Sequence, residues 1–233
     1  LWLRCASKVL IKVGEFKATS FEELFQGTKA LNWGDWITVD GKFTVNGKSL
    51  KSALHSVPDC QAIVKKAIVE KLKLKYNVDW FDETGADYTV QVALLNDVAT
   101  LTLDTSGSSL HKRGYRENSL TAPLKETLAA AMIDLSYWRK NRILLDPMCG
   151  SGTIPIEAAM TAKNIAPGLT RTFACETWER IDKSLWKTAR VEAYKAIDND
   201  VNLKIYGSDI DPEAIEIALE NAEKAGVDDC IEF

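Results

Sequence analysis

Histidine is nearly absent from this 233-residue chain, which has only His55 and His111. Its five cysteines (Cys5, Cys60, Cys149, Cys175 and Cys230) are scattered, odd in number, and form no Cys-x-x-Cys pair. Structural zinc and a disulfide framework are therefore not expected, and a reducing cytoplasm is the expected location. No apolar run approaches the ~18 residues of a membrane span. Arg4, Lys8 and Lys12 interrupt the N-terminal apolar residues where a signal peptide would need continuity. A basic surplus is also missing: 29 Lys and Arg stand against 33 Asp and Glu, for a net charge of −4. That counts mildly against a nucleic-acid binder without excluding a local basic face. What is there, 46% hydrophobic and 27% charged residues, suits a globular protein of one large or two modest domains. The chain starts at Leu1 and stops at Ile231-Glu-Phe233, which reads as the start of a third strand. A doubly wound sheet of two or three strands cannot cover its own faces, so part of a longer polypeptide is expected.

The most informative segment is Ile143-Leu-Leu-Asp-Pro-Met-Cys-Gly-Ser-Gly-Thr-Ile-Pro-Ile-Glu-Ala-Ala-Met160. An apolar strand, Ile143 to Leu145, runs into Asp146, a tight turn carries Gly150 and Gly152, and an apolar helix follows from about Thr153. Glycines allow close backbone approach, and the first-turn N–H groups of a helix are unpaired donors, so this is a site for a polar small molecule. A P-loop would need a lysine after the second glycine, and none follows Gly152. A dinucleotide fingerprint would need a third glycine, and Pro155 stands there instead. Asp146-x-x-x-Gly150-x-Gly152 resembles motif I of the class I S-adenosylmethionine-dependent methyltransferases. The resemblance implies that Asp146 orients the methionine part of the cofactor and that Pro147, Met148, Cys149, Gly150, Ser151, Gly152 and Thr153 line it.

Lys204-Ile-Tyr-Gly-Ser-Asp-Ile-Asp-Pro-Glu213 reads as a second strand ending at Asp209, then a helix with Asp211 as N-cap and Pro212 in its first turn. A carboxylate at such a strand tip can accept hydrogen bonds from both ribose hydroxyls. By resemblance that residue is Asp209, with Ile210 packing on adenine. The distance from Gly152 far exceeds the ~20 residues of a simple dinucleotide unit. Arg171 to Asn202 is therefore expected to be an inserted loop and helix, with Trp178, Ile181, Leu185, Trp186, Ala189 and Ala193 near helical spacing.

Residues 1–104 differ in character. Leu3 to Val13 predicts a helix, with Lys8 and Lys12 on one side. Ser20-Phe-Glu-Glu23 is a capping box opening a helix to about Ala30. Trp33 to Lys48 is loop-rich, with a strand around Phe43 to Val45. Asp59 caps a helix to about Tyr76, burying Ile63, Val64, Ala67, Ile68 and Leu72. Tyr88–Leu95 and Val98–Leu103 predict a hairpin turning at Asn96-Asp97. In order and composition this part resembles a ferredoxin-like linker followed by a THUMP domain, an α/β RNA-binding module. Residues 105–120 read as a linker whose His111, Lys112, Arg113, Tyr115 and Arg116 form a compact basic and aromatic cluster. Such a cluster can pair with phosphates and stack on a base; the alternatives are a solvated linker or an arginine bracing two domains. A helix opens near Thr121 or Ala122, with Pro123 in its first turn.

The arrangement His-Lys-Arg-Gly-Tyr-Arg, Ala-Pro-Leu-Lys-Glu-Thr-Leu-Ala-Ala-Ala, then Asp-Pro-Met-Cys-Gly-Ser-Gly-Thr is highly specific, and the match it belongs to spans nearly the whole chain. It resembles the THUMP-containing guanine-N2 methyltransferases of large-subunit ribosomal RNA, many of them labelled as adenine-N6 DNA methylases. The implied fold is α/β: a THUMP or ferredoxin-like domain in 1–104, then the N-terminal part of a Rossmann-like methyltransferase domain in 121–233. The implied cofactor is S-adenosylmethionine, with Pro123 and Leu124 at the pocket, and the implied partner is RNA, with no metal and no membrane. Alternatives are an adenine-N6 DNA methyltransferase and a non-catalytic RNA-binding module. The family carries its chemistry on an Asn/Asp-Pro-Pro-aromatic motif. No Pro-Pro occurs here, so no catalytic residue is named, the motif is expected beyond residue 233, and this segment alone is expected to be inactive.

Overall fold

The computed structural model describes residues 1–116 and 123–233. The expected caps at Thr121 and Ala122 lie outside the described residues. The chain forms two compact units, neither continuous in sequence: 8–107 with 173–183, and 1–7 with 108–172 and 184–233. The chain therefore passes between units at 7/8, 107/108, 172/173 and 183/184.

The first of these units is a four-stranded sheet with two helices. Its strands are β1 (Leu10–Lys17), β2 (Lys42–Leu50), β3 (Asp87–Leu95) and β4 (Val98–Asp104), in the order β1-β4-β3-β2. β2 runs parallel to β3, and the other pairs are antiparallel. Asn96 and Asp97 have φ of 50° and 62°, the left-handed pair that a two-residue hairpin requires. Alternate residues Tyr88, Val90, Val92 and Leu94 of β3 are buried, as are Ala99, Leu101 and Leu103 of β4. Each large apolar side chain so buried contributes about 1.5–3 kcal/mol. Helix α1 (Phe21–Ala30) starts at Ser20, whose hydroxyl accepts from the Glu23 amide at 3.2 Å. Helix α2 (Val57–Tyr76) buries Val64, Ala67, Ile68 and Leu72 and ends at Asn77 in the left-handed conformation.

The helix expected over Leu3–Val13 is not formed, and Leu10–Lys17 is strand β1 instead. Lys8 and Lys12 have helical spacing, but β4 supplies ladder partners from Leu10↔Asp104 to Lys17↔Val98. A register shift between Lys12 and Gly14 breaks the alternation that would have marked the strand. Residues 173–183 complete this unit. Trp178 is buried, stacks on Tyr88 with centroids 5.0 Å apart, and donates from its indole N–H to the Asp87 carbonyl at 3.1 Å. Trp178 therefore does not belong to a helical apolar face: the next helix begins only at Lys183.

The other unit holds a parallel sheet of β5 (Leu144–Asp146), β6 (Ile205–Gly207) and β7 (Ile231–Glu232), in that order. Around it stand α3 (Glu126–Leu135), α4 (Thr153–Ala162), α5 (Lys183–Lys195) and α6 (Pro212–Ala225). Ile133, Ile156, Ala159, Met160, Ile205, Ala222 and Val227 form its core. Helix α3 starts three residues beyond Pro123, so that proline precedes the helix and is not in its first turn. Helix α6 opens as the sequence predicts: Asp211 accepts from the Glu213 amide at 3.0 Å, and Pro212 follows. Gly226 ends it at φ 69°.

Candidate functional site

The tips of β5 and β6 build the site. Asp146 lies beside Gly207 in the parallel register, and the Ser208 amide donates to the Asp146 carbonyl at 2.9 Å. The Cys149 amide then donates to the Ser208 carbonyl at 2.9 Å, so the turn after β5 is fastened to the segment after β6. The Gly150 amide donates to Asp209 Oδ2 at 2.9 Å, and the Asp211 amide donates to Asp209 Oδ1 at 3.1 Å. The Met148 amide donates to Asp146 Oδ1 at 3.3 Å.

Gly150 and Gly152 both have positive φ, 53° and 78°, where a Cβ is unfavourable. Their surroundings differ. A Cβ on Gly150 would meet nothing within 4 Å, so this part of the turn faces open space. A Cβ on Gly152 would stand 3.1 Å from the Ala218 and Phe233 side chains, so this glycine serves the packing of α4 and α6. Gly152 caps α4, leaving that helix's first-turn amides as donors.

The electrostatics separate the two carboxylates. Hydrogen bonds from the Asp211 and Gly150 amides hold the Asp209 carboxyl below its usual range, so it is ionised at neutral pH. Burial, and secondarily the Asp209 charge, push the Asp146 carboxyl up against the opposing Met148 hydrogen bond. Burial also pushes the Cys149 thiol from its ordinary 9.0 up to about 11, so it is no activated nucleophile. Pro147, Met148 and Ile210 are exposed around this rim, Ile210 fully. Ser151 and Thr153 are buried and committed to the fold. The Ser151 carbonyl accepts from Asn221 at 3.1 Å, and the Thr153 hydroxyl accepts from the Arg116 guanidinium. Pro123 is exposed and Leu124 half-buried. The Leu124 carbonyl accepts two hydrogen bonds of 3.1 Å from Arg116, which fastens the segment before α3 to the start of α4.

The basic and aromatic cluster divides. Arg113 and Tyr115 are 2% and 3% exposed. Arg113 makes two 3.3 Å bonds to the Glu157 carboxylate, to which Tyr115 also donates at 3.3 Å. Arg113 further donates to the carbonyls of Leu110 and Arg4. Neither side chain faces solvent, so a phosphate contact at Arg113 and base stacking at Tyr115 give way to a structural role inside one unit, to which Arg4, Leu110 and Glu157 also belong. Arg116 is similarly occupied, with Glu126 at 3.5 Å. Lys112 is exposed and His111 half-buried. Glu157 is the residue that sequence reading missed. It sits in the apolar run of α4, where an acidic residue among alanines was the one available signal. Among the described residues, no group of three or more His, Cys, Asp or Glu could hold a metal, and no helix is long and apolar enough to cross a membrane.

Comparison with known proteins follows this division. A THUMP domain model matches residues 18–104, and a model described as "RMKL-like, methyltransferase domain" matches residues 113–233. The "Putative RNA methyltransferase YpsC" of Bacillus subtilis (strain 168) is 55% identical over all of the chain and 61% of its own length. The "Ribosomal RNA large subunit methyltransferase K/L" of Psychromonas ingrahamii (strain DSM 17664 / CCUG 51855 / 37) is 42% identical, again over the whole chain and 32% of its own length. A crystal structure of "SMU.472, a putative methyltransferase complexed with SAH" superposes with a TM-score of 0.94 at 45% identity, covering all of this chain and 62% of that one. The chain thus spans less than two thirds of these relatives. Its fold is a mixed α/β arrangement of a THUMP domain followed by a methyltransferase domain. A match over more than half of the chain, on the unit that carries Asp146, Gly150 and Asp209, means that the chain belongs to the RMKL-like methyltransferase family.

Proposed function

We propose that this chain is the cofactor-binding part of an S-adenosylmethionine-dependent RNA methyltransferase, acting on guanine N2 of large-subunit ribosomal RNA. The Asp209 carboxylate clasping the Gly150 amide carries the reading. An ionised carboxylate has about four acceptor positions, and the amides of Gly150 and Asp211 use two. The acceptor capacity left over is offered to the ribose hydroxyls. Ile210, exposed next to it, offers an apolar surface for adenine. Above Gly150 the space is open, as close approach of a ligand's methionine part requires. Asp146 and the first-turn amides of α4 supply its polar contacts. Pro123 and Leu124 close the pocket, Leu124 being fastened beside Thr153 through Arg116. These residues fit the cofactor.

When bound, the cofactor supplies a sulfonium-activated methyl group. This chain holds the donor in one orientation, and fixed orientation of donor and acceptor is the main lever for an in-line displacement. Asp146, Gly150 and Asp209 would hold the cofactor, which would supply the methyl group to the exocyclic amine of the base. Cys149, neutral at physiological pH, takes no covalent part. RNA as acceptor is supported by the THUMP match and by the names of the two relatives. A cytoplasmic setting accords with that substrate.

The test is methyl transfer from labelled S-adenosylmethionine by the full-length protein, offered ribosomal RNA from an unmodified strain and, separately, unmethylated DNA. Label in RNA recovered as N2-methylguanosine is the expected result. Label only in DNA adenine would overturn the acceptor and leave the cofactor site standing.

A further inference from the structure

We propose that a basic cavity in the methyltransferase unit, apart from the strand-tip site, holds a phosphodiester group of the RNA strand; this rests on RNA being the substrate. The cavity has a volume of about 580 Å³, and four of its ten described lining residues carry a cation, Lys112, Arg113, Arg116 and Arg171, beside His111, whose imidazole burial pushes below its ordinary value. Among the described residues the one acid in its wall, Glu126, lies 3.5 Å from Arg116, which offsets it. Arg113 is turned to Glu157. Lys112 is exposed at the rim, and Ser108, Thr170 and Thr172 bring exposed hydroxyls.

The cavity is built in advance. Arg171 is buried and donates to the carbonyls of Ser108, Ser109 and Lys112 at 2.6, 2.8 and 3.2 Å. The Lys112 amide donates to the Ser109 carbonyl at 3.0 Å, tightening the same loop. Gly114 has φ 111°, and a Cβ there would stand 3.1 Å from the Thr170 hydroxyl, so this stretch of wall stays bare backbone. Arg171 spends its donors on this loop, so the oxyanion falls to the mobile Lys112 ammonium and the wall hydroxyls, in the field of the fixed guanidinium charge. In a chain of net charge −4, such a local concentration gives the backbone of a nucleic acid a place to land. Arg113, singled out from sequence as an RNA contact, is here part of the wall with its guanidinium engaged by Glu157.

The experiment measures binding of a single-stranded RNA oligonucleotide to the full-length protein across a salt series, for the wild type, Lys112→Glu and Thr172→Glu. Lys204→Glu, the same charge reversal as at Lys112 but outside the cavity, is the control. Lys112→Glu and Thr172→Glu are expected to weaken RNA binding about tenfold and to lower the log–log salt slope by about one. S-adenosylmethionine affinity, measured in parallel, stays unchanged and shows that the unit is folded. Millimolar inorganic phosphate is expected to displace RNA from the wild type. An unchanged slope in both cavity variants, with RNA still methylated, overturns the cavity site alone. Phosphate binding with no effect of the variants on RNA also overturns it, by making free anion the ligand. Wild-type protein that binds no RNA and methylates only DNA overturns the cavity and the RNA reading together.

Discussion

The Gly150 amide and the Asp209 carboxylate are joined by a 2.9 Å hydrogen bond across 59 residues of sequence. It locks the turn after one strand to the tip of the next and, second to the Asp211 amide, holds the Asp209 carboxyl low.

Replacing Asp209 with Ala should raise the dissociation constant for S-adenosylmethionine by roughly tenfold or more, the scale of hydrogen bonds to a charged group. Because its carboxyl is held low, the Asp209 contribution should persist as pH falls through the usual carboxylate range and be lost only below it. Titration calorimetry at pH 7 and pH 4 checks both; equal affinity of wild type and variant removes Asp209 from the pocket.

The two glycines should respond differently to alanine. At Gly150 only the positive φ opposes the change, so stability falls by about 1 kcal/mol, while the added methyl occupies the open approach and cofactor affinity drops. At Gly152 the same backbone strain is joined by contacts of 3.1 Å to Ala218 and Phe233. Its loss should be the larger, about 2–3 kcal/mol. Denaturation midpoints alongside cofactor titrations separate the two outcomes.

Arg113→Met would leave the Glu157 carboxylate buried without its cation, a loss of about 3–5 kcal/mol. Burial already pushes the Glu157 carboxyl up despite Arg113 beside it. A raised folded-state value means stability present at low pH and lost as pH rises, more steeply once the arginine is gone. The gap between wild type and variant should therefore narrow on acidification. Adding Glu157→Leu should recover much of the loss, and urea unfolding at two pH values tests this.

Trp178→Ala should destabilise the THUMP-containing unit by about 3–5 kcal/mol, because it vacates a buried stack on Tyr88 and an edge contact to Trp36, centroids 6.5 Å apart. Trp178→Phe keeps the ring but not the 3.1 Å bond to the Asp87 carbonyl, and should fall between. Hydrogen exchange of β3 amides is the readout; unchanged protection in the alanine variant would show that the stack contributes nothing.

Much of this was legible in the sequence because the signals are local. The turn at Gly150 and Gly152, the cap at Asp211 and Pro212 and the hairpin at Asn96-Asp97 each announce themselves within a few residues. Strand β1 was not legible, since its partner β4 lies some ninety residues away and a register shift spoils its alternation. Nor was the fate of Arg113 and Tyr115: a basic and aromatic run reads the same whether it faces RNA or a buried glutamate. Trp178 was misplaced for a similar reason, its helical spacing to Trp186 and Ala193 being coincidental.

The 173–183 strap constrains how this architecture can be inherited. The segment matched as a THUMP domain stops at Asp104, yet the ring that covers Tyr88 is encoded some seventy residues downstream, inside the methyltransferase sequence. Exchange of the upstream segment between relatives would part Tyr88 and Trp36 from the tryptophan that fills their core. A chimera joined at the linker would keep its packing only when both parents carry matching aromatics at these positions. The two halves are thus expected to recombine rarely and to co-vary at 36, 88 and 178, as one hereditary piece with an interleaved text.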